Sequence, residues 1–237
     1  MKKIVVFTGA GISAESGIPT FRDRGGLWDQ YDPKKVATGT AMKKNPNAVI
    51  EFMNMCQTQM RACEPNEAHK ALARLEEKFD VTVITQNIDT LHEEGGSTNV
   101  LHLHGNINEK RSSDSSLIVE KLEGEIEIGD LCEDGSQWRH NVVLFEENLP
   151  ILEMEKARDA MSKADLLIVV GTTLEVFPAA GLLQHFNRDN IMYIVDPGKV
   201  NLAPIPGRKF VVEPATKGVP FVVDLLIKEE TVGRSNP

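Results

Sequence analysis

Two short stretches hold the side chains best suited to chemistry: "TQNIDTLHEEGG" (85–96) and "LHLHGN" (101–106). The first sets Gln86, Asn87, Ile88 and Asp89 just after a β-rich run, at the expected end of a strand, where open α/β sheets bind ligands. A carboxamide and a carboxylate there can bind polar groups, and the same residue types cap the helix expected to follow. Both readings hold together. The second stretch carries His102 and His104. An imidazole titrates near neutrality and so suits proton transfer. Of the other four histidines, His69 and His92 fall in expected helices and read as satisfied structural residues. His140 and His185 read as surface positions.

A third stretch, "FTGAGISAESGIPTFR" (7–22), follows the first apolar run. Gly9 and Gly11 permit a tight turn and close backbone approach to a pyrophosphate, with the next helix offering its N-terminal amides. An ordinary strand-to-helix turn is the other reading. Position 14 is Ala, so the full G-x-G-x-x-G pattern is not met. No G-K-[ST] follows, which excludes a Walker-type phosphate loop.

The elements that must position these residues alternate. "KIVVFT" (3–8), "DVTVIT" (80–85), "DLLIVVG" (165–171) and "IMYIVD" (191–196) read as buried strands. "NEAHKALARLEEKF" (66–79), "EMEKARDAMSKA" (153–164), "AAGLLQHF" (179–186) and "GVPFVVDLLIKEE" (218–230) read as helices, with Asn66 suited to a helix start and Pro220 expected in a first turn. Strands separated by helices predict an α/β fold, a Rossmann-like doubly wound parallel sheet. Two segments break the rhythm and are expected to form a smaller inserted lobe. The predicted sheet domain comprises 1–28, 66–105 and 142–237. A helical insertion spans 29–65 and a small β module 106–141, in which "LEGEIEIGDL" alternates like edge β structure. The tail "GRSNP" is expected to lie outside the fold.

With 237 residues, 41% hydrophobic and 26% charged, the chain reads as a soluble globular protein. No apolar run approaches the roughly 20 residues of a membrane helix. The apolar start is too short for a signal peptide and reads as a strand. A net charge of −9 argues against non-specific nucleic-acid binding but leaves a basic peptide open as substrate. Three cysteines without framework spacing read as reduced thiols of a cytoplasmic protein. Nothing in the chain fixes an oligomeric state.

Taken together, "GAGISAESGIPTFR", "GGLW" (25–28), "TQNIDTLHEEGG", "LHLHGN", "VVLFEENLP" (142–150) and "GTTLEVFPAA" (171–180) resemble, in order, the signatures of the sirtuins, a family of NAD-dependent protein-lysine deacylases. The resemblance runs from residue 4 to about 180, with a weaker match beyond. It implies cleavage of the nicotinamide–ribose bond of NAD as the acyl-lysine carbonyl oxygen attacks the ribose, releasing nicotinamide and O-acyl-ADP-ribose.

The resemblance also implies roles. Gly9, Ala10 and Gly11 approach the pyrophosphate. Thr20, Phe21 and Arg22 follow on the same loop, Phe21 shielding the ribose and Arg22 meeting phosphate charge, and Trp28 lies at the loop's edge. Core packing is the other reading of Phe21 and Trp28. Gln86 contacts ribose hydroxyls. Asn87, Ile88 and Asp89 line the nicotinamide pocket, with Asn87 counted beside His104 as catalytic. His104 is the general base, and His102, where the family usually has an acidic residue, supports it indirectly at most. Gly171, Thr172 and Thr173 bind the adenosine side, with Asp196 toward its ribose and Ala215 near adenine. Val143, Phe145 and Glu146 meet the acyl-lysine peptide as an added strand. The family usually has Gly where Glu146 stands.

Thr20 resembles the branch that often removes succinyl or malonyl groups, which hold the acyl carboxylate with a Tyr and an Arg three apart. Those positions are Met53 and Cys56 here, so deacetylation or removal of a longer apolar acyl group is expected. Most of the family holds a structural zinc with two C-x-x-C pairs. The matching positions are Ser112, Ser115, Leu131 and Asp134, with Cys132 adjacent, so no metal is expected. The competing functions are mono-ADP-ribosyl transfer, by the same NAD cleavage, and an NAD-binding sensor or scaffold with little turnover.

Overall fold

The computed structural model describes residues 1–21, 26–198, 200, 202 and 206–234. Six strands form one parallel sheet: β1 (Lys3–Thr8), β2 (Asp80–Thr85), β3 (Val100–His102), β7 (Leu166–Val170), β8 (Ile191–Val195) and β9 (Arg208–Val211). Their spatial order is β3-β2-β1-β7-β8-β9, the doubly wound arrangement, with β1 central. A second sheet of three antiparallel strands joins β4 (Gly105–Ser112), β5 (Val119–Lys121) and β6 (Trp138–Val142) in the order β5-β4-β6.

Period two along β1 fills both faces. Ile4 and Val6 pack with Leu72 and Leu75 of α5 (Glu67–Leu75) and Val219 and Val222 of α8 (Ala215–Arg234). Val5 and Phe7 pack on the other face with Ala157 and Met161 of α7 (Ile151–Lys163). Asn66 caps α5 by accepting from the Ala68 N–H, and the His69 ring returns a bond to the Asn66 N–H. A separate core cluster builds the small lobe, where Phe52, Met53 and Cys56 of α4 (Pro46–Arg61) meet Ile107, Trp138 and Val142 of the small sheet. Among the described residues there are also four short α-helices: α1 (Leu27–Gln30), α2 (Pro33–Val36), α3 (Gly39–Lys44) and α6 (Leu91–Glu94). No described helix is long and apolar enough to cross a membrane.

Several expectations change. "LEGEIEIGDL" carries no strand: β5 ends at Lys121, and Ile126 is buried instead, with its N–H and C=O both held by the Asn54 side chain. The alternation reflects one side chain anchored to α4, not a sheet edge. The segment 179–186 is a 3-10 helix over Ala179–His185. The last helix starts at Ala215, since the Glu15 carboxylate takes both the Thr216 N–H (3.0 Å) and its hydroxyl (2.7 Å), so Pro220 sits in the second turn. That helix runs to Arg234, into the tail expected to lie outside the fold.

Candidate active site

The polar residues singled out above gather at the C-terminal edge of the parallel sheet. Gly9 follows β1, Gln86 follows β2, Gly171 follows β7 and Asp196 follows β8. The first loop differs from the expected form. Two 3-10 turns, Ala10–Ile12 and Ala14–Ser16, replace a long helix with free N-terminal amides. The Gly9 N–H donates to the Val170 carbonyl (3.0 Å) and the Gly11 N–H to the Gly171 carbonyl (2.9 Å). A Cβ on Gly11 would stand 2.6 Å from the Gly171 Cα, and Gly171 itself has φ +58°. These glycines therefore let two loops interlock.

Asn87 is held at three points. Its N–H donates to Thr85 Oγ1 (3.0 Å), its Nδ2 to Ser13 Oγ (3.1 Å), and its carbonyl accepts from His102 Nδ1 (3.1 Å). Ser13 Oγ in turn donates to Asp89 Oδ2 (3.1 Å), while Asp89 Oδ1 accepts from the Leu91 N–H (3.2 Å), the first amide of α6. Burial pushes the Asp89 carboxyl above the usual range, opposed by the Leu91 and Ser13 hydrogen bonds and by His102. Beneath lies a layer of hydroxyls and imidazoles. Thr8 Oγ1 donates to Thr85 Oγ1 (2.8 Å), so His92 Nε2 (3.0 Å) must donate to Thr8. His92 Nδ1 is then buried without a partner among the described residues. His69 accepts from the Asn66 N–H at Nδ1 and faces Ser13 with Nε2 (3.5 Å). Burial lowers both rings, His69 to about 4, so both are neutral structural residues.

β3 ends at His102, so His104 lies on the turn after it. His104 Nδ1 faces the Gln86 carbonyl at 2.8 Å. A carbonyl only accepts, so Nδ1 carries the proton and Nε2 keeps its lone pair. Burial lowers the His104 pKa below its ordinary value, partly offset by the Gln86 bond. The imidazole is thus a neutral base in the tautomer that exposes Nε2. Gly105 follows with φ +81°, and a Cβ there would overlap the Asn141 carbonyl. Gln86 Nε2 also reaches Thr172 Oγ1 (3.1 Å), tying the β2 and β7 loops together.

A cavity of about 240 Å³ opens beside His104, Gln86 and Ile88 and runs between the lobes. Its mouth is aromatic: Trp28 lies 5.3 Å from Phe21, 6.1 Å from Phe52 and 6.0 Å from Phe145 between ring centroids. Met53 and Cys56 lie on its wall, and burial pushes the Cys56 thiol up to about 12, so it stays protonated. Among the described residues lining this cavity none is Lys or Arg.

The segment after β6 is not a strand, because β6 ends at Val142. The Val143 N–H donates to the His104 carbonyl (2.8 Å), and Phe145 pairs through both backbone groups with Ala37 and Gly39. Glu146 has φ +73°, the left-handed region that favours glycine. Its carboxylate accepts from the Thr40 N–H (2.9 Å), a contact that holds the side chain against α3. The sequence reading missed Glu147. It accepts from Arg139 (2.6 Å), Arg111 (3.0 Å) and the Leu144 N–H (2.9 Å), bracing this wall of the cavity.

The remaining residues spread around the edge. Thr20 and Phe21 are half-buried, and their carbonyls accept from the Leu27 and Trp28 N–H groups. Arg22 lies outside the described residues. Thr173 is exposed, and Asp196 accepts from the Gly198 N–H (2.8 Å). Ala215 is buried in the core beside Val195 and Val219. His140, read as a surface residue, is 2% exposed on β6. Its strand faces α4, and burial lowers the ring to about 4.

In the small lobe, Ser112 is 1% exposed. Its Oγ accepts from the Asp114 and Ser115 N–H groups (3.1 and 2.9 Å) and donates to Asp134 Oδ2 (2.6 Å), which ties the two ends of the β4–β6 connection. Hydrogen bonds from Ser112 and Ser136 hold the Asp134 carboxyl down at about 2. Among the described residues no three His, Cys, Asp or Glu side chains converge as metal ligands would. This hydroxyl–carboxylate knot does not fit a tetrahedral zinc site.

Residues 9–178 match the profile of the Sir2 family. An NAD-dependent protein deacylase of Helicobacter pylori strain J99 is 46% identical over 201 residues, covering 85% of each chain. One of Bacteroides thetaiotaomicron is 43% identical over 233 residues, covering 96% of this chain and 99% of the relative. Among solved structures, a Sir2 homologue in complex with NAD superposes with a TM-score of 0.86 at 36% identity, covering 97% of this chain and 91% of that one. A Sir2 bound to a deacetylated p53 peptide and 3'-O-acetyl ADP-ribose gives 0.76 at 33% identity, covering 95% and 92%.

Proposed function

The chain belongs to the Sir2 family and is an NAD-dependent protein deacylase, and from that premise we propose that it deacylates lysine side chains carrying acetyl or longer apolar groups, with His104 as general base. The observation that carries this reading is the His104 ring, fixed by Gln86 with Nε2 unprotonated beside the cavity. NAD, when bound, supplies a cleavable nicotinamide–ribose bond and an electrophilic ribose carbon for the acyl-lysine oxygen. The chain's own part is to hold, shield and deprotonate. Asn87 and Asp89 offer hydrogen-bonding groups to the nicotinamide end, with the Ile88 backbone between them. Gln86 faces the ribose, and His104 Nε2 takes a proton from a ribose hydroxyl. Phe21 and Trp28 exclude water from the reacting centre. Ala10, between the two bonded glycine amides, and Thr172 and Thr173 serve the phosphate and adenosine side.

The acyl preference follows from the cavity wall. Met53 and Cys56 are apolar there, and no described Lys or Arg lines it to hold an acyl carboxylate. The Val143 carbonyl and the Glu146 backbone remain for an extended peptide, since the Val143 N–H and both backbone groups of Phe145 are already paired. We also propose that the lobe needs no zinc, because Ser112 and Asp134 satisfy each other. Elemental analysis of the purified protein is expected to give below about 0.2 zinc per chain, and chelators to leave activity unchanged.

Incubation with NAD and a panel of acyl-lysine peptides tests the reading. Acetyl and longer apolar peptides are expected to yield nicotinamide and O-acyl-ADP-ribose by mass spectrometry, and succinyl peptides far less. Nicotinamide release with ADP-ribose attached covalently to protein would instead favour mono-ADP-ribosyl transfer.

A further inference from the structure

The ring of His102 sits between two groups that can only accept hydrogen bonds. Nδ1 lies 3.1 Å from the Asn87 carbonyl and Nε2 lies 2.7 Å from Glu93 Oε1. A neutral imidazole has one N–H and would turn a lone pair toward one of the two. Both contacts are made only if the ring carries two protons. The His102 side chain is only 12% exposed, so water has little access to relieve the mismatch.

We propose that His102 is a positioning residue: as an imidazolium anchored on Glu93, it donates to the Asn87 carbonyl and fixes the peptide that presents Asn87 and Asp89 to nicotinamide. The successive carbonyls of Gln86 and Asn87 are then each held by a histidine, one in the base tautomer and one cationic. The proposal rests on the assignment of Asn87 to the nicotinamide end.

The ionisable groups acting on the ring are Glu93 of α6 and Asp89 before it, while His92 of the same helix is held neutral by burial and by the charge of His102. Burial works against the cation, but the Glu93 bond and charge, the Asn87 carbonyl and Asp89 outweigh it and raise the pKa. Glu93 is lowered in turn, the His102 bond and charge outweighing its own burial. The imidazolium is present below that raised pKa and is lost as pH rises through it. The remaining proton then stays on Nε2, since the bond to a carboxylate is the stronger one. The bond to Asn87 is the one released.

The test reads the ring and the kinetics separately. Histidine 15N NMR without NAD at pH 7 is expected to show one ring with both nitrogens protonated, absent in His102→Gln. His102→Phe should raise KM for NAD about tenfold, with the KM for acyl peptide unchanged. In the native protein KM for NAD should rise at alkaline pH. Glu93→Gln should abolish that rise, because an amide can donate to Nε2 and leave Nδ1–H on Asn87. A singly protonated ring at pH 7, or an unchanged KM for NAD in His102→Phe, overturns the proposal. If His102→Phe does not fold, the NMR signature and the Glu93→Gln profile decide. Asn87→Ala separates the premises: an unchanged KM for NAD there removes Asn87 from the nicotinamide site, while the ring state is read without NAD.

Discussion

The neutral tautomer of His104 makes a quantitative claim at the residue scale. Its pKa is lowered by burial, so the base form persists below pH 6.5 and kcat/KM should stay high until the solution is more acid than a free imidazole would tolerate. His104→Ala should reduce kcat about 10³-fold while NAD still binds, as stopped-flow kinetics and calorimetry would measure. Unchanged turnover in that variant would remove the base assignment. This residue was singled out in "LHLHGN" because the resemblance assigns the base role to the histidine before Gly105. Its neighbour was not. His102 read as indirect support at most, since its partner Glu93 stands on a different element and nine residues away. Glu147 escaped for a similar reason. Nothing in "FEEN" says which of two adjacent carboxylates turns inward to meet Arg139 and Arg111.

At the scale of elements, the parallel sheet follows from strands alternating with helices, whereas the joints between elements depend on contacts far apart in sequence. Gly105 is such a joint: it turns the chain from the parallel sheet into β4 at φ +81°. Gly105→Ala must move the turn away from the Asn141 carbonyl and carry His104 with it. A loss of roughly 100-fold in kcat/KM is expected, with most of the secondary structure retained by circular dichroism. The polar run "RSSDSS" is a second joint. Ser112→Ala leaves two N–H groups without their acceptor, and should cost about 1–3 kcal/mol in a denaturant titration. Added zinc should not restore it. The spacing of this run matched a metal-binding pattern, but the hydrogen bonds that take over are visible only once Asp134 and Ser136 fold back onto it.

Across the whole molecule, three buried histidines away from the cavity contribute to the response to acid. His69 and His140 are lowered to about 4 and His92 is lowered well below its ordinary value, in each case by burial first. In the unfolded chain each titrates near 6.5. Between pH 6.5 and 4 the unfolded state therefore binds more protons than the folded one, and stability falls as pH falls through that window. His69 and His92 lie beneath the site loops, and His140 lies in the small lobe, so acid weakens both lobes together. His140 isolates one contribution. Both its ring nitrogens are buried without partners among the described residues, and a small cavity lined by Val49, Ile50 and Met53 borders it. A phenyl ring fills that space without an unsatisfied polar group. His140→Phe should therefore stabilise the protein by about 1–2 kcal/mol at pH 7. Near pH 4 the gain should grow by roughly 3 kcal/mol, because the variant no longer offers a proton site to the unfolded chain alone. Thermal melts from pH 7 to 4 measure this directly, and parallel acid slopes for the two proteins would show that His140 binds its proton equally well when folded.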